Sequence, residues 1–415
     1  MRMFVRVLPA VVAGLFLLQC SESPPPAPTS EPQRTPANLT ANELSLIESS
    51  NDFGLRLFRE VSTTENPDNN VFISPLSVSY ALGMAYNGAA GDTRDSIAAT
   101  LELAGLSVEE INQSYKSMTD LFVQLDPDVT FDIANSIWYR LNLPIKSTFV
   151  DLNQIYFDAL VRELDFNMEG AADTINGWIE TNTNGRIDHV IDSPIDPSVL
   201  VYLINAIYFK AAWTETFESD DTYDASFHLL DGTETPCRMM SREDTTLRFF
   251  DNDVCRGLNL PYGTGDYSMT LLLPKSTVTM EQLIDELTPE NWANWAGSFN
   301  TGWITIGIPK FKFEYETGLN SALKAMGMNI AFSGSADFSN MMETAGYIDT
   351  VIHKTFVQVG EEGTEAAAVT VITVCGMPPP MIFDRPFLFI IHENVSDVIL
   401  FMGKVANPIW DESAG

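Results

Sequence analysis

The chain has 415 residues, with 23 lysines and arginines against 56 aspartates and glutamates, a formal charge of −33. Nucleic acids and heparin-like polyanions are bound by clustered cations, and no Lys/Arg run occurs, so both are excluded as partners. Charged residues are only 19% and apolar ones 45%, which is enough for a large core and too apolar for an acidic disordered chain.

Arg2 and Arg6 begin the chain, and Val7 to Leu18 is almost wholly apolar. That run is short for a membrane span and has signal-peptide proportions. Leu17-Leu18-Gln19-Cys20 resembles the lipobox of bacterial lipoproteins, whose Cys is lipidated, although Gln19 departs from the small residue usual there. An ordinary signal peptide cleaved nearby is the alternative. Residues 1–19 thus read as a signal peptide. Residues 20–40 read as a spacer, because Pro24, Pro25, Pro26, Pro28, Pro32 and Pro36 favour an extended, semi-rigid chain. The protein is expected to be exported, either as a cell-envelope lipoprotein held to the membrane only through Cys20, or as a secreted protein.

No linker or repeat interrupts residues 41–409, which read as one domain. Thr40 and Glu43 fit a capping box, and Leu44, Ile47, Phe53, Leu57 and Phe58 give the helix behind it an apolar face. Asn87–Gly91 punctuates the next helical stretch. Leu152–Leu160 and Ala172–Thr181 read as further helices. Phe131–Tyr139 and Val199–Phe209 are rich in β-branched and aromatic residues. The second is nearly continuously apolar and is expected to be a central strand buried on both faces. Trp303–Ile308 and Phe311–Tyr315 flank Pro309, and Val351–Val359, Phe387–His392 and Ile399–Val405 close the chain as strands. Helices come early and strands late, which predicts an α+β fold with a largely antiparallel sheet.

No nucleophile elbow, phosphate loop, dinucleotide fingerprint or His-Glu-x-x-His motif occurs. Ser333-Gly334-Ser335 lacks the strand-to-helix context of a nucleophile. Asp220, Asp221 and Asp224 lack the glycine and distal glutamate of a calcium loop and read as a solvated turn. The histidines (His189, His228, His353, His392) and cysteines (Cys20, Cys237, Cys255, Cys375) are too few and too dispersed for a metal centre. No metal, no cofactor and no catalytic residue are therefore expected. His353, in a strand, reads as a satisfied hydrogen-bonding group. Cys237 and Cys255 could be disulfide-bonded or buried free thiols.

The segment from Gly360 to Pro380 differs from the rest. Glu361-Glu362-Gly363 is followed by the small residues Thr364-Glu365-Ala366-Ala367-Ala368, then by the β-prone Val369–Val374. Cys375, Gly376, Met377 and then Pro378-Pro379-Pro380 end it, since proline cannot continue a ladder. Alternate residues from Thr364 (Ala366, Ala368, Thr370, Ile372, Val374) are all uncharged. The segment could therefore enter a sheet without burying a charge. Left exposed, such a tract is an aggregation hazard.

This hinge-like run resembles that of an inhibitory serpin's reactive-centre loop, which spans about 361–382 here. Four further motifs in the same order strengthen the resemblance, which covers nearly all of residues 45–407. They are Phe72-Ile73-Ser74-Pro75-Leu76-Ser77, Asn205–Trp213, Pro386–Phe389 and Phe401–Pro408.

The resemblance implies three β-sheets, eight or nine helices and an exposed reactive loop above a five-stranded sheet. It implies a monomeric protease inhibitor, not an enzyme. A target protease would attack the loop and form an acyl-enzyme, and the cleaved loop would insert as an extra strand and trap it. Glu361 to Ala368 would be the hinge. Ser74, Pro75, Asn205 and His353 would form the shutter where the sheet parts, and Trp213 the point of first insertion. Counting from Glu361 places the scissile bond at Met377–Pro378, and counting back from Phe383 gives Cys375–Gly376. No Arg or Lys lies between Lys354 and Arg385. That disfavours trypsin-like targets and favours elastase-, subtilisin- or chymotrypsin-like enzymes, with papain-like ones also open. The competing expectation is a non-inhibitory member that binds a ligand or partner.

Overall fold

The structure, a computed structural model, describes residues 38–103, 105–363 and 380–410. Its elements begin with α1 (Ala41–Thr64), β1 (Val71–Ile73), α2 (Pro75–Gly88), α3 (Gly91–Thr100) and α4 (Val108–Phe122). Next come β2 (Val129–Arg140), α5 (Ser147–Phe157), β3 (Leu160–Leu164), α6 (Ala171–Asn182) and β4 (Val201–Ala211). A run of strands follows: β5 (Tyr223–His228), β6 (Glu234–Asp251), β7 (Cys255–Tyr262) and β8 (Tyr267–Pro274). Two short helices, α7 (Met280–Glu286) and α8 (Pro289–Ala296), precede β9 (Asn300–Pro309), β10 (Phe311–Gly318) and α9 (Asn320–Ala325). The chain closes with β11 (Ile352–Val359), β12 (Met381–Ile382), β13 (Phe387–Glu393) and β14 (Ile399–Val405).

Among the described residues there are thus nine α-helices and three sheets. The largest sheet runs β1-β14-β13-β8-β7-β6-β9-β12, with β5 on β6. The second is β3-β2-β4 and the third β10-β11. Among the described residues, only β12 with β9 and β2 with β3 pair in parallel, so the α+β, mainly antiparallel expectation holds.

Local signals explain the helix ends. The Thr40 hydroxyl accepts from the Glu43 N–H while the Glu43 carboxylate takes the Thr40 N–H, closing the expected capping box. The helix expected over Leu152–Leu160 instead ends at Phe157. Asp158 turns left-handed at φ 48°, which Asp tolerates better than most residues, and Leu160 opens β3.

One aromatic floor carries both small sheets. Phe72 of β1 stacks on Phe389 at 5.5 Å and on Phe401 at 5.3 Å, and meets Phe313 of β10 edge-on. Phe209 of β4 reaches the same Phe401 and packs on Tyr262 and Tyr267. Each ring contact adds about 0.5–1.5 kcal/mol beyond burial, so both sheets are fastened below. No hydrogen bond joins β4 to β11 among the described residues.

This arrangement corrects the expectation for Val199–Phe209. The strand does meet apolar partners on both faces. Tyr202 and Ile204 pack on a cluster with Trp138, Phe166 and Ile175 under α6, and Leu203, Ile207 and Phe209 pack on the main core. Yet only Ala206 and Ala211 are fully buried. The edge of β4 away from β2 borders an opening, so its side chains remain half-buried.

Candidate functional site

A cavity of about 550 Å³ lies between β4 and β11, lined by Ile207, Phe209, Thr355, Val357, Gly360 and Trp410 among others. At its upper end the chain leaves β11 through a tight turn. Gly360 and Gly363 exchange backbone hydrogen bonds, and Gly363 bridges to Ala212 just beyond β4. Gly363 has φ 84°, a conformation that favours glycine. A Cβ there would press on the Trp213 nitrogen and lie 2.8 Å from the Ala212 carbonyl carbon.

Trp213 holds this turn twice. Its backbone N–H donates to Glu362 O at 3.2 Å and its indole N–H to Gly360 O at 3.1 Å. The ring is fixed by stacking on Tyr262 at 4.3 Å. Glu361 is gripped as well. Its carbonyl accepts from the Phe217 N–H, and its carboxylate meets Lys310 Nζ at 2.8 Å and the Thr222 hydroxyl at 3.0 Å. Burial alone would raise the Glu361 carboxyl. The hydrogen bonds from Lys310 and Thr222 outweigh it and hold the group below its usual range.

At the start of β11, His353 Nε2 accepts the Ser74 N–H at 2.9 Å. The ring is buried, and desolvation pulls it down to about 4. It is therefore neutral at pH 7, with its proton on Nδ1. Ser74 caps α2 by accepting from the Ser77 N–H, and its hydroxyl donates to Leu400 O at 2.8 Å. Pro75 fills the first helical position, where its missing N–H costs nothing. Asn205 of β4 donates to Asn135 Oδ1 at 2.9 Å, and Asn135 donates to Phe157 O. The Asn205 Oδ1 is buried and accepts no hydrogen bond among the described residues.

The other end of the segment is also anchored. Arg256 donates to Pro380 O at 3.0 Å, and Met381 and Ile382 pair with Ile306 and Gly307 of β9.

The structure thus gathers Glu361, Glu362, Gly363 and Trp213 at one end of the opening. It joins Ser74 to His353 by a hydrogen bond, with Pro75 next to Ser74 at the start of α2, whereas Asn205 is bonded to Asn135 and not to them. Thr364, Glu365, Ala366, Ala367, Ala368, Cys375, Gly376, Met377, Pro378 and Cys20 lie outside the described residues. Cys237 and Cys255 are buried free thiols, pushed up to about 11 and about 12 with burial the main cause. Sequence reasoning missed Lys310, Tyr262, Arg256 and Trp410. Each acts through a partner tens of residues or more away, and no local pattern marks them.

Chemically, His353 is a neutral acceptor spent on a backbone N–H, and the neighbouring Ser74 hydroxyl is spent on Leu400 O. What the arrangement offers is a place for an extended strand between two sheet edges, beneath a hinge held by a few separable contacts.

A family model described as Serpin (serine protease inhibitor) matches residues 48–408. Iripin-2 of Ixodes ricinus is 33% identical over 375 residues, covering 88% of this chain and 94% of that protein. Serpin B6 of Pongo abelii is 32% identical, covering 88% and 99%. Among solved structures, human thyroxine-binding globulin complexed with thyroxine superposes with a TM-score of 0.80 at 29% identity, covering 89% of this chain and 100% of that one. Tengpin, a thermophilic serpin in its native state, gives 0.79 at 29% identity, covering 89% and 95%.

Proposed function

This chain belongs to the serpin family, and we propose that it is a suicide-substrate inhibitor of serine endopeptidases, with papain-like cysteine enzymes as a second target class. Members of this family are mostly protease inhibitors. One observation carries the reading: β4 and β11 face each other unpaired across a cavity, with the hinge Glu361–Gly363 seated at its upper end. After attack on the loop, Thr364 and Ala366–Ala368 enter first, because small uncharged residues meet neither a steric nor a desolvation barrier. The inserted strand carries the acyl-enzyme with it and the trapped protease loses its deacylation geometry. Elastase-, subtilisin- or chymotrypsin-like enzymes are the preferred targets, attacked at Met377–Pro378 or at Cys375–Gly376, and the inhibitor is monomeric. Residues 1–19 act as an export signal, and Cys20 and the proline-rich spacer to residue 40 tether the domain at 41–409 to a cell envelope.

Mixing with these proteases should give an SDS-stable complex at the summed mass. Mass spectrometry of the released C-terminal fragment then identifies the bond. Clean loop cleavage without any complex across the panel would overturn the proposal.

A second reading has specific support. Thyroxine-binding globulin, which has a similar structure, holds thyroxine in its complex, and Pro378 directly after Met377 suits most serine proteases badly. A non-inhibitory loop would leave the melting temperature unchanged on nicking, whereas an inserting loop raises it.

A further inference from the structure

Ile409 and Trp410 lie beyond the last strand. Ile409 O accepts the Lys312 N–H at 2.8 Å, which lays the tail along β10. This places the Trp410 ring over Lys310, whose Nζ is 4.0 Å from the ring centroid. The same ammonium bonds to Glu361 at 2.8 Å and its side chain is only 12% exposed. One lysine is thus held between a carboxylate of the hinge and the face of a C-terminal indole. The ring also reaches the hinge directly. A Cβ on Gly360 would stand 3.5 Å from its edge and 3.9 Å from the Lys310 stem. The Gly360 carbonyl accepts the Trp213 indole N–H. The root of the reactive loop is therefore touched by two tryptophans.

The Trp410 indole nitrogen is buried and has no hydrogen-bond partner among the described residues. A buried unmet donor is unfavourable, so the site gains from the ring face and not from the N–H. A cation over an indole face, shielded from water, is held more strongly than an exposed one.

We propose that Trp410 is a positioning residue for the hinge: it clamps Lys310 and Gly360, keeps the Glu361 ion pair closed, and slows entry of the loop into the sheet until a protease has cut it. This rests on the inhibitory reading above. Opening the Gly360–Gly363 turn to extend β11 separates Glu361 from Lys310, so the clamp acts on the intact form and is released on insertion.

The test compares the full chain with Trp410→Leu, which keeps apolar bulk without a ring, and Trp410→Phe, which keeps a ring without the donor. The first measurement is the rate at which warmed, intact protein converts to a form resistant to nicking. Trp410→Leu should convert about fivefold faster, the rate equivalent of one partly buried cation–π contact. Trp410→Phe should stay within about twofold of the original. Adding Lys310→Met to Trp410→Leu should accelerate conversion less than the two single effects multiplied, because both act on one contact. The second measurement is melting after nicking, in which all variants should coincide. Equal shifts of intact and nicked forms, or a phenylalanine variant that behaves like leucine, would overturn the clamp while leaving the inhibitory reading intact. If the unmutated protein gains no thermal stability on nicking, that reading fails, and the clamp fails with it.

Discussion

Replacing His353 by leucine should remove a pH-dependent share of the stability of the intact form. The imidazole titrates near its ordinary 6.5 in an unfolded chain and at about 4 when folded, because burial penalises its charged form. The folded value is depressed, so the unfolded chain takes up the proton first. The associated stability is complete above about pH 6.5 and is lost as the pH falls toward 4. At about pH 5 the loss is about 2 kcal/mol for this one group. Buried His392, also near 4, contributes a second loss of the same sign. Burial raises the Glu393 and Asp397 carboxyls, which act in the opposite sense, but they are common to both proteins and cancel in the comparison. Leucine cannot accept the Ser74 N–H, so His353→Leu should cost about 1–3 kcal/mol even at neutral pH. The assay is the unfolding rate at fixed urea between pH 7.5 and 5. The original protein should accelerate by up to about thirtyfold from His353 alone if the loss falls on the unfolding step. The variant should start faster and steepen less. A variant with the original pH slope would refute the assignment of a neutral, buried acceptor at His353.

Other predictions follow from single contacts. Gly363→Ala forces a side chain onto the Trp213 nitrogen at φ 84°. It should lower the melting temperature of the intact form but not of the nicked one, since an inserted strand is extended there. Equal effects on both would count against the hinge geometry. Ser74→Ala removes the α2 cap and leaves the buried Leu400 carbonyl without that donor. A loss of about 2–3 kcal/mol is expected in equilibrium or kinetic unfolding, and a neutral result would argue against the contact. Cys237 and Cys255 should escape iodoacetamide at pH 8 in the folded protein and react in guanidinium, because both thiols are buried and shifted upward. Peptide mapping that finds either one labelled in the native state would contradict their burial.

Much of the frame was legible in local sequence. The Thr40 capping box, the Ser74-Pro75 start of α2 and the β-branched runs all act within a few residues, where periodicity and capping chemistry operate. The helix boundary near Asp158 was misread because a left-handed residue outside glycine carries little advance signal. The apolar run of β4 correctly predicted contacts on both faces. It could not predict half-burial, because pattern reports which faces are apolar and not whether a neighbouring strand covers an edge. The hinge was recognisable from Glu361-Glu362-Gly363 and the small residues after it. How it is held was not, since Lys310, Trp213 and Trp410 meet it across 50 residues or more.

The excess of acid over base that marks this chain set an expectation against polyanionic partners and said nothing further. Composition and local pattern determined the fold class and most of the helices and strands, and singled out the small, β-prone tract after Gly363. Tertiary structure alone decided that β4 and β11 stand apart on a shared aromatic floor, and that Lys310 and the Trp410 ring tie the hinge to the C-terminal tail. The physical reason is range. Capping and periodicity are written in neighbouring residues, whereas an ion pair or an open sheet edge exists only once distant segments have been packed together.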